Sequence, residues 1–139
     1  MYDDVLVPTD GSEGVERAVT HAEAIADRFD ATVHTVHVVQ TPDSADRLEE
    51  SVVERLERAG REAVDAVAER ADGAGGEVHA AVRTGVPSEE IVAYAEDHGI
   101  DVIVMSTAGR TGTEREVVGS VTEAVVRKSP VPVLTVNVG

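Results

Sequence analysis

Short apolar runs alternate with longer amphipathic stretches along the whole chain. Val5-Leu6-Val7, closed by Pro8, reads as a first strand. Val15, Ala18, Val19, Ala22, Ile25, Ala26 and Phe29 follow as one helical stripe, with Asp10 and Glu13 at capping-box spacing before it. Thr32 to Val39 is β-branched and predicts strand two. Thr41-Pro42-Asp43-Ser44 is a turn cluster. From Asp46 to about Ala71 the chain is charged and alanine-rich, and Leu48, Val52, Leu56, Ala63 and Val67 give that helix a buried face. Gly73-Ala74-Gly75-Gly76 ends it. Val78, Ala80 and Val82 alternate as strand three. Gly85-Val86-Pro87-Ser88 turns the chain, with Ser88 expected as N-cap of a helix carrying Ile91, Val92 and Ala95 and stopping at Gly99. Asp101 to Met105 is strand four, Ser120 to Lys128 a last helix, and Val133 to Val138 strand five. Strict βαβαβαβαβ alternation predicts a single-domain α/β fold. Its sheet is an open, five-stranded, parallel, Rossmann-like one of order 3-2-1-4-5, with helices on both faces. All of residues 1–139 belong to one domain.

Composition sharpens this picture. The 42% hydrophobic content is mostly Val, Ile, Leu and Ala, with only 2% aromatic, which suits helices packed closely on a sheet. The absence of cysteine excludes disulfides, thiolate metal sites and thiol nucleophiles. No apolar run approaches the ~18 residues of a membrane span. The acidic start, MYDDVLVPTD, is unlike a basic secretory leader. The expected location is therefore the cytoplasm, with no membrane partner.

Charge is the unusual total: 27 acids against 12 bases give a formal net charge of −15. Lys128 is the only lysine, the other bases being arginine. Attraction to nucleic acid is not expected from such a surface. The acids are dispersed, which is the pattern of a halophilic protein. In molar salt the Debye length falls to ~3 Å and most self-repulsion is screened.

In open α/β sheets, ligands sit beyond the carboxyl ends of the strands. Those ends carry Pro8-Thr9-Asp10-Gly11-Ser12 after strand one, Val38-Val39 at the end of strand two, and Ser106-Thr107-Ala108-Gly109-Arg110-Thr111-Gly112 after strand four. Gly119-Ser120-Val121-Thr122 opens the last helix, where free N–H groups and the positive dipole end suit a phosphate. Asp10 reads equally as a helix cap or as a ligand to ribose or metal. Gly109 and Gly112, taken alone, read as turn glycines, and Gly119-Ser120 as an N-cap; it is their meeting at one end of the sheet that favours a ligand site. No GxxxxGK[ST], no GxGxxG after strand one and no nucleophile elbow around Ser12 is present. His21, His34, His37, His79 and His98 form no HExxH and read as structural or surface residues. His34 and His37, three apart in a strand, should face opposite sides of the sheet. One carboxylate without a partner base gives no catalytic set.

These residues resemble the universal stress protein family. The resemblance rests on Val102-Ile103-Val104-Met105, on Gly109 and Gly119-Ser120 with nine residues between them, and on Val121-Thr122-Glu123 and Pro132-Val133-Leu134. It extends to Val7-Pro8-Thr9-Asp10-Gly11-Ser12, His37-Val38 and Gly85-Val86-Pro87, and so covers essentially the whole chain. The nucleotide-binding branch of that family carries a G-two-G-nine-G-[ST] signature. Here the first glycine is replaced by Ser106, and a histidine often found before the second glycine is Ala108. The resemblance implies ATP or AMP as ligand with Mg or Mn. Thr9 and Asp10 would meet ribose or metal, the Val38 backbone adenine, and Pro8 and Met105 the base and sugar. Gly109, Gly119, Ser120, Val121 and Thr122 would cradle the phosphates, with Arg110 nearby. It also implies a homodimer through the last strand, Val133 to Val138. Two rival readings stand beside it: a dimeric interaction module without a nucleotide, favoured by Ser106 and Ala108, and a slow ATPase.

Overall fold

The structure, a computed structural model, describes residues 1–40, 50–72, 77–107 and 119–137. Its elements are β1 (Asp4–Pro8), α1 (Val15–Phe29), β2 (Thr32–Val39), α2 (Glu50–Asp72), β3 (Val78–Thr84), α3 (Pro87–Asp97), β4 (Val102–Ser106), α4 (Ser120–Lys128) and β5 (Val133–Val136). The five strands form one sheet of order β3-β2-β1-β4-β5. Every pairing is parallel, with Leu6 opposite His34 on one side and Ile103 on the other. The α/β alternation read from the apolar periodicity is the architecture found.

Each strand divides its side chains between two helical layers. Val5, Val7, Val102 and Val104 pack with Ala18, Val19 and Ala22 of α1 and Val67 of α2. Leu6, Ile103 and Met105 pack with Ile91, Tyr94 and Ala95 of α3 and Val125 of α4. The central strands are buried on both sides, so they read as continuous Val/Ile/Leu runs rather than alternating ones. Ala18 and Ala22, with no exposed surface, let α1 lie close to the sheet. Full burial of a side chain such as Leu6 is worth about 1.5–3 kcal/mol.

Local expectations shift at several element ends. The N-cap of α1 is Gly14 and no side chain caps it. Asp10 instead accepts from the Ser12 amide through Oδ1 (2.9 Å), a local turn in place of a helix cap. In α3 the N-cap is Val86, with Pro87 in the first turn. Proline's fixed φ starts the helix there and moves Ser88 inside it. The buried stripe of α2 contains Gly60, Val64, Val67 and Ala71, and Leu56 is 38% exposed. Strand five ends at Val136, two residues short of the expected Val138, which lies outside the described residues with Leu48 and the 41–44 and 73–76 turns. No helix among the described residues is long and apolar enough to cross a membrane.

Candidate functional site

The chain turns one way from β1 to β2 and the other way from β4 to β5, so the carboxyl ends of β1 and β4 part and leave a crevice. The cavity there measures about 1040 Å³. Its floor and walls include Pro8, Thr9, Asp10, Val38, Met105 and Ser106 from the strand ends, and Gly119, Ser120, Val121 and Thr122 from the start of α4. These ten residues, spread over 115 positions of sequence, were expected at one ligand site, and the fold gathers them around one cavity. Gly109 and Arg110, like Ala108 and Gly112, lie outside the described residues.

The β1 end is held by a hydrogen-bonded turn. Thr9 N–H donates to the Val36 carbonyl (2.9 Å), which carries the sheet ladder one residue past β1. The Thr9 hydroxyl oxygen accepts from Gly11 N–H (3.0 Å), and Gly11 takes φ of 84°, a conformation glycine adopts without strain. His37 Nδ1–H donates to the Thr9 carbonyl (2.9 Å), fixing the peptide after Thr9 from β2. The Ser12 hydroxyl is buried and has no protein partner among the described residues. A buried hydroxyl without a partner costs about 1–3 kcal/mol. Its presence in the wall of the crevice marks a group that a ligand or bound water would satisfy.

The β4 end is tied to α4 from both sides. Thr107 N–H donates to the Val136 carbonyl (2.9 Å), and Gly119 N–H donates to the Thr107 carbonyl. Thr122 is buried and its hydroxyl donates to the Ser106 carbonyl (2.9 Å). That bond spends the Thr122 proton on the fold, leaving its amide rather than its hydroxyl as the donor for a ligand. The first i→i−4 bond of α4 runs from Glu123 N–H to the Gly119 carbonyl (2.9 Å). The amides of Ser120, Val121 and Thr122 therefore precede the helical ladder, and no side chain caps them. They stand at the positive end of the α4 dipole beside the cavity.

The remaining walls are acidic and apolar. Asp10, Glu13, Glu16 and Glu62 line the cavity, as do Val15, Leu56, Ala59 and Ala63. Arg70 is the cation of the described lining, and it is engaged by Glu23 (3.5 Å) and by the Thr20 hydroxyl. An anion here meets free amides and a helix dipole rather than a free cationic side chain. Among the described residues no cluster of three or more His, Asp or Glu side chains converges to hold a metal. A divalent ion at Asp10 would have to draw most of its oxygens from the ligand.

Sequence reasoning did not place Ser12, His37 or the α2 wall at the site. Asp10-Gly11-Ser12 carried a usable signal, because an Asp accepts readily from the amide two residues on. The contribution of His37 had no local signal, since its partner Thr9 lies 28 positions away.

A family model described as Universal stress protein family matches residues 1–137. Universal stress protein MJ0531 of Methanocaldococcus jannaschii is 39% identical over 141 residues, covering 99% of this chain and 83% of that protein. MJ0577 of the same organism is 30% identical, covering 99% of this chain and 96% of that one. Its solved structure superposes with a TM-score of 0.88 over 99% of this chain and 96% of that chain, at 34% identity. A universal stress protein solved in complex with cAMP superposes with a TM-score of 0.77 at 28% identity, covering 99% of both chains.

Proposed function

The chain belongs to the universal stress protein family, and from that premise we propose that it is a cytoplasmic regulatory protein that binds an adenine nucleotide, ATP or AMP, with a divalent ion. The observation that carries this reading is the convergence of the β1 end, the β4 end and the uncapped start of α4 on one cavity. The Val38 backbone would meet adenine, and Pro8 and Met105 would flank the base and sugar with apolar contacts. Thr9 and Asp10 stand where a ribose hydroxyl or a metal would be met. The amides of Gly119, Ser120, Val121 and Thr122 suit the phosphates, with Gly109 and Arg110 proposed to complete that cradle. The cAMP complex of a relative supports the adenine class of ligand.

A crevice lined by four carboxylates repels phosphate unless the charge is offset. Asp10 would hold Mg or Mn together with the nucleotide, and the ion's charge would supply that offset. The test is thermal unfolding with and without Mg-ATP or Mg-AMP. A ligand at 100 times its Kd adds about 2.7 kcal/mol of stability, which raises Tm by several degrees. No rise with either nucleotide, at millimolar concentration, rejects the reading.

The open edge of β5 favours a second property, a homodimer through the last strand. Among the described residues β5 pairs only with β4, and Leu134 on it and Val126 on α4 are 39% and 50% exposed. A two-fold copy covers such an edge. If nucleotide binding fails, this surface makes an interaction module the better account, and Ser106 in place of the signature glycine agrees with that outcome.

A further inference from the structure

At the amino end of the sheet, opposite the crevice, three histidines meet one tyrosine on the α3 side. His34 of β2 is buried, and its Nε2 lies 2.9 Å from Asp4 Oδ1 of β1. A carboxylate only accepts, so that nitrogen carries the proton of the neutral ring. Nδ1, 2.8 Å from the Tyr94 hydroxyl of α3, then accepts from it. Asp4, His34 and Tyr94 make a complete chain of donors and acceptors while His34 is neutral.

Two more imidazoles lie against this chain. His79 of β3 stacks on His34 with ring centres 5.1 Å apart and is itself bound to Glu77. His98, at the end of α3, stacks on Tyr94 at 3.9 Å and meets His34 edge-on at 5.7 Å. Its Nδ1–H donates to the Tyr94 carbonyl (3.1 Å), as does its own amide (3.0 Å). Arg83 of β3 sits over the Tyr94 ring at 5.1 Å, held there by Glu90 and Asp97. From the β4 side Asp101 accepts from the amides of Asp3 and Asp4 and fixes the Asp4 backbone. The groups around His34 are thus Asp4 on one side and two imidazoles, a phenol and a guanidinium on the others.

We propose that this Asp4–His34–Tyr94 chain, with His79 and His98 packed against it, is an acid-operated latch that holds the last turn of α3 on the sheet and releases it when His34 takes up a proton. A proton on His34 turns Nδ1 into a donor, so the Tyr94 hydroxyl must become its acceptor. The hydroxyl's own hydrogen then loses its partner. The His79 and His98 rings lie 5 to 6 Å from the buried His34 ring, and the Arg83 cation lies over the Tyr94 ring, so the pocket offers a charged His34 no acceptor besides Asp4 and the Tyr94 oxygen. The elements that share the cluster, β1, β2, β3 and α3, meet there through side chains 30 to 60 positions apart, so protonation is felt where α3 docks and not along one helix. Burial holds the His34 pKa below the ordinary imidazole value, with Asp4 opposing and His79 and His98 adding to the effect. The latch is therefore closed near neutrality and opens under mild acid.

Hydrogen exchange on the whole protein tests this, compared at about pH 7.5 and about pH 5.5 after correction for intrinsic exchange. The amides of Ala95 to His98 should lose protection by at least about five-fold more than those of α1, which packs on the opposite face of the sheet. In His34→Gln, which keeps a donor for Asp4 but cannot take up a proton, that excess should vanish. His21→Gln on the exposed side of α1 should keep it. If His34→Gln does not fold, the surface pair His79→Gln with His98→Gln carries the test and should shrink the excess. An equal loss in α1 and α3, or an excess unchanged in the histidine variants, overturns the latch.

Discussion

His37 packs its ring directly on the backbone of Gly60: a Cβ built on that glycine would stand 2.6 Å from His37 Cδ2 and 3.3 Å from Val82 Cγ1. The contact joins α2 to β2, and the same ring holds the Thr9 carbonyl at the rim of the crevice. A glycine in mid-helix costs about 1 kcal/mol relative to alanine, so the position trades helix propensity for close approach.

Gly60→Ala reads out that trade. The added methyl gains about 1 kcal/mol of helix propensity but must displace a ring tied by its hydrogen bond, at a cost of about 1–3 kcal/mol. The overlap is severe, so the variant should unfold at lower urea than the parent. In a His37→Ala background the severe overlap is gone, only the 3.3 Å approach to Val82 Cγ1 remains, and the same change should stabilise. The reversal of sign in a double-mutant cycle is the check; the same sign in both backgrounds would show that the ring does not decide this position.

The nucleotide site is open to three substitutions read by calorimetry. Gly119→Val places a branched side chain where phosphate would approach the first amides of α4, and it should abolish ATP binding. Asp10→Asn should weaken binding mainly in the presence of Mg or Mn, leaving the metal-free affinity nearly unchanged. Ser106→Gly should tighten binding or leave it unaltered. Full affinity in Gly119→Val would put the ligand elsewhere.

The edge strand makes a separate prediction. Ile103 N–H donates to the Pro132 carbonyl and Thr107 N–H to the Val136 carbonyl, so even-numbered residues of β5 face β4. In a parallel ladder the odd-numbered residues, Val133 and Thr135, then turn their backbone groups to the open edge. Thr135→Pro removes an outward N–H and no ladder bond to β4. It should yield a folded monomer, seen by light scattering, whereas the parent should be a dimer at tens of micromolar. A monomeric parent at that concentration disproves pairing through β5.

Salt should matter to the fold. A net charge of −15 on 139 residues, with a single lysine, opposes compaction when unscreened. The urea midpoint should rise between low salt and molar KCl, where the screening length is ~3 Å. Equal midpoints at the two salt levels would remove the case for a halophilic protein.

Much of this molecule is written in local spacing. Runs such as Val5-Leu6-Val7 and Val102 to Met105 show strands buried on both faces, and the stripe from Val15 to Ala26 shows a helix with one such face, because a period of two or of 3.6 needs only neighbours. Strict alternation of those elements leads to the parallel sheet, and the small and hydroxylated residues at Thr9-Asp10 and Gly119-Ser120 mark the end of it where a ligand fits. What the tertiary structure alone decided are the contacts between distant positions. Gly60 moves the buried stripe of α2 away from Leu56 because the His37 ring fills the space a side chain would take. Thr122 gives its hydroxyl proton to the Ser106 carbonyl, 16 residues back, and so leaves backbone amides as the open donors at the start of α4. Tyr94 reaches His34 across 60 positions and joins the two residues in one buried hydrogen-bonded chain with Asp4. Periodicity records which face of an element is buried; it holds no record of which partner lies across the interface, and that choice belongs to the packed chain.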